Sequence, residues 1–122
     1  MQLKDTMAEN VTLASLEDTV ATAAQSMREA NIGCLVVVNS EALLGIVTDR
    51  DLLIGCLGDA HAPGQCRVSS HMSTPLITAG PDMDVMDAAH MMFSRKIKRL
   101  PIIEGDRLVG LMSLSDIGHT LG

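Results

Sequence analysis

The second half of this chain repeats the first. Slid over itself by 65 positions without a gap, the sequence places residues 7–54 on residues 72–119. Identities fall at Met7/Met72, Ala14/Ala79, Val20/Val85, Ala23/Ala88, Ala24/Ala89, Met27/Met92, Ile32/Ile97, Leu35/Leu100, Leu43/Leu108, Gly45/Gly110 and Asp51/Asp116. A chain of 122 residues is one domain by size. Two halves of about 55–60 residues are each marginal alone, because short chains bury too little of their surface, so the halves are expected to share a core. The division predicted is 1–60 for repeat one with its lead-in segment, 61–122 for repeat two, and a linker over about 55–75, the two repeats making one structural unit.

Residue patterning gives both repeats the same order of elements. Val11–Leu13 is a short extended run. Thr19 is placed to cap a helix over about 20–30, in which Val20, Ala23, Ala24 and Met27 recur at helical spacing. Cys34–Val38 is too short and too β-branched for a helix and reads as a buried strand. A turn at Asn39-Ser40-Glu41, a strand over 43–47 and a helix over about 49–57 follow. Repeat two predicts an extended Leu76–Thr78, Asp84 as cap, a helix over about 85–95, a hairpin of 100–103 and 107–112, and a helix over 114–121. Each repeat is therefore β-α-β-β-α, and the fold class is α+β.

The residues most able to bind something lie where the last strand of each repeat meets the last helix. Gly45-Ile46-Val47-Thr48-Asp49-Arg50-Asp51 and Gly110-Leu111-Met112-Ser113-Leu114-Ser115-Asp116 both read glycine, two apolar residues, a hydroxyl residue, two spacers and an aspartate. A helix start offers free N–H groups and a favourable dipole to a phosphate, and a carboxylate one turn in can hold the hydroxyls of a ribose. The plainer reading is that Thr48-x-x-Asp51 and Ser113-x-x-Asp116 are capping boxes that satisfy only their own backbone. Recurrence in register favours the binding reading.

Composition narrows the partners. The formal net charge of −6 and a single aromatic residue, Phe93, argue against a general nucleic-acid or anionic-membrane binder, which needs an electropositive face and often stacking rings. Charge is uneven, however: residues 1–60 carry three basic and nine acidic side chains and 61–122 carry six of each, with Arg95, Lys96, Lys98 and Arg99 clustered. A local anion site in the second half is thus expected. The beginning of the chain lacks the apolar core of a signal peptide and no apolar run reaches membrane-spanning length, which predicts a cytoplasmic protein. Three scattered cysteines fit a reducing compartment.

Two further patterns stand out. Cys56, His61, Cys66 and His71 fall at intervals of five in the linker. These are zinc-type ligands, but the spacing is not that of the tight pairs typical of zinc sites, so they read as unrelated linker residues and no metal is expected. On the second long helix, Met86, His90 and Phe93 form an extra stripe where repeat one has Ala21, Gln25 and Arg28. A helix apolar on two sides usually has two neighbours, so this stripe is the candidate homodimer face.

The doubled β-α-β-β-α pattern, closing each time with Gly-apolar-apolar-Thr/Ser-x-x-Asp, resembles the cystathionine-β-synthase (CBS) domain family, and the whole chain resembles a stand-alone tandem pair over about residues 7–119. Arg99-Leu100-Pro101-Ile102-Ile103 is also similar to that family's second strand. The resemblance implies two small sheets packed about a pseudo-twofold axis with flanking helices, and two clefts for an adenosine ligand such as AMP, ADP, ATP or S-adenosylmethionine, with no cofactor required. Carried over, one cleft uses Ser113, Asp116 and Arg99 with Thr12, Ile32, Gly33 and Cys34 around the base. The other uses Thr48 and Asp51 with Ile77, Ile97, Lys98 and Arg99, and has no base of its own repeat unless Arg50 serves.

The Ser113/Asp116 cleft is accordingly expected to favour phosphorylated ligands. The function implied is a regulatory module acting on a separate protein. The alternative is a ligand-independent assembly module whose motifs are only helix caps. Catalysis is not expected, since no histidine has a nucleophile at a meaningful spacing and Cys34 lies in an expected buried strand.

Overall fold

The computed structural model describes residues 1–9, 11–40 and 42–121, apart from the side chains of Thr120 and Leu121. Glu41, the last residue of the expected Asn39-Ser40-Glu41 turn, lies outside the described residues. The chain divides into two compact units, Thr12–Leu76 and Met1–Val11 with Ile77–Gly122.

In the first-repeat unit, β1 (Leu13–Ser15) runs parallel to β2 (Cys34–Asn39), which pairs antiparallel with β3 (Ala42–Thr48). Between β1 and β2 lies α1 (Val20–Ala30), started by the Thr19 hydroxyl accepting from the Thr22 N–H and ended by Asn31 in the left-handed region, where asparagine is tolerated. Val20, Ala23 and Met27 bury one face of α1 against Leu35, Val37 and Val47 of the sheet. Ala24, expected in the same stripe, is exposed. The motif helix is an α-helical turn, α2 (Asp49–Asp51), continuing as a π-helix over Leu52–Leu57, with Leu52 and Cys56 buried.

The second-repeat unit reproduces this with α3 (Val85–Arg95), β4 (Arg99–Glu104), β5 (Arg107–Ser113) and α4 (Leu114–Leu121) around Val85, Ala88, Met92, Leu100, Ile102, Met112 and Ile117. The strand register also repeats: the bulge at Val37/Val38 recurs at Ile102/Ile103. What does not recur is the outer strand. Leu76–Thr78 makes no strand, and Ala79 forms a single parallel bridge to Ile102. Prolines explain the loss. Where the Leu16 N–H donates to Val38 in repeat one, repeat two has Pro81, and Pro101, next to Ala79's bridge partner Ile102, accepts from the Ala79 N–H but has no N–H to give, so the ladder lacks donors on either side of the bridge.

Sequence order groups the lead-in segment with repeat one, whereas packing groups it with repeat two. Leu3, in a 3₁₀ turn over Leu3–Asp5, is fully buried, its N–H donates to Met83, and Ala8 bridges Leu111. The linker does the same for repeat one: Val68 is fully buried in a 3₁₀ turn over Val68–Ser70, its N–H donates to Asp18, and Ser73 bridges Ile46. Leu3 and Val68 are 65 residues apart, so the duplication extends upstream to the segment that closes each core. A division near residue 60 therefore differs from the division by packing, in which 12–76 and 1–11 with 77–122 are the compact bodies.

Candidate functional site

Both motif corners form at a strand-to-helix junction, as the residues predict, but they close differently. In repeat one the Thr48 N–H donates to Asp51 Oδ2 at 2.9 Å and the Asp51 N–H donates to Thr48 Oγ1 at 3.1 Å, a complete capping box. In repeat two the Asp116 N–H donates to Ser113 Oγ at 3.0 Å, and among the described residues no bond runs back from the Ser113 N–H to the Asp116 carboxylate. Asp116 is exposed and Asp51 half-buried.

A backbone bond ties each corner to the residues leading into the unit's central strand. The Asp49 N–H donates to the Gly33 carbonyl at 2.9 Å, and at the equivalent place the Leu114 N–H donates to the Lys98 carbonyl at 2.9 Å. This bond fixes the local charge. In repeat one it brings an acid, Asp49, against Gly33, whose absent side chain leaves room for the carboxylate: a Cβ there would stand 3.3 Å from Asp49 Oδ2. In repeat two it brings Lys98 and Arg99 to the start of α4 and beside Ser113, with apolar Leu114 in place of the acid. The Arg99 guanidinium donates to the Lys98 carbonyl at 3.3 Å.

Ile32, Gly33 and Asp49 line one open hollow with Met27, Arg28 and Asn31. Arg50 and Asp51 line another, of about 250 Å³, with Ile54, Gly55 and His71. Cys34 is 4% exposed, so only its backbone can meet a ligand. Thr12, Ile77, Ile97 and Arg99 are half-buried and Lys98 is exposed. Asp49 and His71 were not among the expected site residues. The contrast of Asp49 with Leu114 in the aligned repeats was a legible signal for the first, and the five-residue spacing of Cys and His for the second.

The linker residues expected to be unrelated do gather: His61, Cys66 and His71 place their ligand atoms within 4.8 Å of one another. Cys56 lies alongside, its buried thiol donating to the His61 carbonyl at 3.4 Å. Burial first, then a hydrogen bond with Cys66, pushes the Cys56 thiol above its ordinary 9.0. On α3, Met86 and Phe93 are 50% and 79% exposed, with His90 exposed beside them. No helix among the described residues is long and apolar enough to cross a membrane.

Comparison with known proteins supplies the family. The CBS domain profile matches residues 3–57 and again 68–120, and this chain belongs to that family as a tandem pair. CBS domain-containing protein YhcV of Bacillus subtilis is 37% identical over 115 residues, covering 94% of this chain and 81% of that protein. A hexameric CBS-CP12 protein from bloom-forming cyanobacteria matches with a TM-score of 0.91 and 31% identity, over 98% of this chain and 71% of that one. Hypoxic Response Protein I, solved with two coordinated zinc ions, matches with a TM-score of 0.83 and 28% identity over the whole of both chains. CBS domain proteins are in general regulatory modules that bind adenosine ligands.

Proposed function

We propose that this chain is a cytoplasmic regulatory module that binds an adenosine nucleotide, or S-adenosylmethionine, and acts on a separate partner protein, without catalysis of its own. The observation that carries the reading is the corner of repeat two. There the Lys98–Leu114 backbone bond draws two cations to a helix start whose hydroxyl and acid, Ser113 and Asp116, are not closed on each other. A cationic helix N-terminus with an available carboxylate suits a phosphorylated nucleoside. In repeat one the closed Thr48/Asp51 box and the nearby Asp49 disfavour a phosphate, so that corner is assigned the weaker or less charged ligand.

Calorimetry with AMP, ADP, ATP and S-adenosylmethionine tests this. Asp116→Ala and Lys98→Ala are expected to weaken nucleotide binding about tenfold, with Asp51→Ala costing less. Equal losses from Asp51→Ala and Asp116→Ala would reject the ranking.

A second reading has its own support. The Thr48/Asp51 box satisfies its own backbone fully, which is all a scaffold requires. Melting points unmoved by any of these ligands would favour that reading, since a ligand bound by the folded state alone raises them. Under either reading the Met86/His90/Phe93 face is proposed to pair two copies of the chain. Arg28 occupies the place of Phe93 in repeat one, so Phe93→Arg is expected to weaken dimerisation by about 2 kcal/mol in sedimentation experiments. An unchanged dimer would move the interface elsewhere.

A further inference from the structure

The gathering of His61, Cys66 and His71 is built by the backbone from several sides. The Cys66 carbonyl accepts from the Val20 N–H at 2.7 Å, Arg67 bridges Thr19, and the Val68 N–H donates to Asp18, so the cysteine is pinned to the start of α1. A turn closed by the Gln65 N–H on the Ala62 carbonyl brings the chain round to it, and the His61 N–H is held by the Cys56 carbonyl at 2.9 Å. His71 follows the 3₁₀ turn, its N–H on the Val68 carbonyl. Its ring lies against Gly55 so closely that a Cβ there would overlap it, and only glycine leaves the imidazole that seat.

Cys66 Sγ stands 2.9 Å from His71 Nε2 and 3.9 Å from His61 Nδ1. Around a tetrahedral zinc ion at ordinary bond lengths, sulfur and nitrogen ligands are about 3.6 Å apart. The two distances bracket that spacing, so small side-chain rotations bring all three atoms onto one ion. The Cys66 sulfur can hydrogen-bond His71 closely, but its contact with His61 is long for a hydrogen bond, and a shared ion accounts for both imidazoles at once.

We propose that His61, Cys66 and His71 form a binding site for a zinc-class divalent cation, with the fourth position taken by water or by the neighbouring Cys56 thiolate. One thiolate with two imidazoles is a borderline-soft set that selects zinc over magnesium or calcium. Binding releases the Cys66 proton to solvent as the thiolate forms. Because His71 also lines the hollow with Arg50 and Asp51, an ion held here fixes one wall of the repeat-one corner. The site does not depend on the nucleotide reading.

The test is titration of the untagged, metal-free full chain with Co²⁺, then Zn²⁺. Expected are the intense visible bands of tetrahedral cobalt with thiolate-to-cobalt charge transfer, saturating at one ion per chain, bleached by Zn²⁺ and accompanied by a higher melting point. The charge-transfer intensity distinguishes one thiolate from two and so identifies the fourth ligand. Cys66→Ser should abolish that band when water is the fourth ligand and halve it when Cys56 is, His71→Gln should weaken binding by at least about tenfold, and His119→Gln, on the exposed side of α4, should leave metal binding unchanged. Absence of cobalt binding, the weak bands of octahedral cobalt alone, or a thiolate band left at full intensity by Cys66→Ser would overturn the assignment. Should Cys66→Ser not fold, alkylation of the wild-type chain decides: Zn²⁺ must slow modification of Cys66, and an unchanged rate refutes the site.

Discussion

The two motif corners have nearly the same sequence pattern and the same local geometry, yet different chemistry. In repeat one, hydroxyl and carboxylate bond reciprocally across Thr48 and Asp51, and an acid sits against Gly33. In repeat two, Ser113 caps Asp116 without a return bond among the described residues, and two cations take the place of Gly33 and Cys34. Duplication conserved the frame, in which one backbone bond ties the motif to the central strand, and left the side chains around that bond to diverge. Under the proposed function, one corner serves stability first and the other anion binding.

The largest effect is expected at the motif glycines. At both, an extended segment crosses the strand too closely for a side chain. A Cβ on Gly45 would overlap the Ser73 carbonyl oxygen and stand 2.9 Å from Thr74 Cγ2, whereas one on Gly110 would meet chiefly the flexible thioether of Met7, with Cγ at 2.8 Å. Gly45→Ala should therefore cost about 2–3 kcal/mol of stability in denaturant unfolding and Gly110→Ala about 1 kcal/mol. Equal costs would mean that the segment before β1, which supplies Met7, is held as rigidly as the linker.

Next come the carboxylates. Asp51→Ala removes the acceptor of the Thr48 N–H and should cost about 1 kcal/mol, while Asp116→Ala should cost only a few tenths of a kcal/mol from the helix dipole. Thermal melts without ligand check this difference, and a reversed order would erase the contrast.

The smallest effect concerns the ion pairs beside the closing segments. Glu17 and Asp82 occupy equivalent positions, but Arg67 pairs with the first and Lys4 with the second, each at 2.9 Å. The hydrogen bond and charge of Asp82 raise the Lys4 ammonium above its ordinary 10.5. A raised lysine contributes its stabilisation below 10.5 and loses it as pH climbs through the raised value, whereas the guanidinium keeps its charge throughout. Alkaline melts of Asp82→Asn and Glu17→Gln should therefore differ: the first variant converges on wild type at high pH and the second does not.

The chain's order of elements was legible because it rests on local rules. Apolar residues every three or four positions gave α1 and α3, β-branched runs gave β2 and β4, and Thr19, Thr48 and Asp84 cap as their residue types predict. Composition alone also located the basic cluster at Lys98 and Arg99. Other features lay beyond a local reading. The two prolines that reduce the outer strand of repeat two to a bridge act through a partner strand far off in the chain. The exposure of Ala24, which helical spacing put in the apolar stripe of α1, is another.

By itself the sequence determined that two β-α-β-β-α units exist, where their motifs stand and that the copies differ in charge, because periodicity, capping and residue charge are properties of neighbours along the chain. Only the tertiary structure decided that residues 1–11 complete the core of repeat two, that residues 66–73 complete that of repeat one, and that three metal-ligand side chains five residues apart converge. Those outcomes depend on which distant apolar side chain, Leu3 or Val68, fills the open end of each core. Burial of that side chain drags the attached segment, with whatever polar groups it carries, into place.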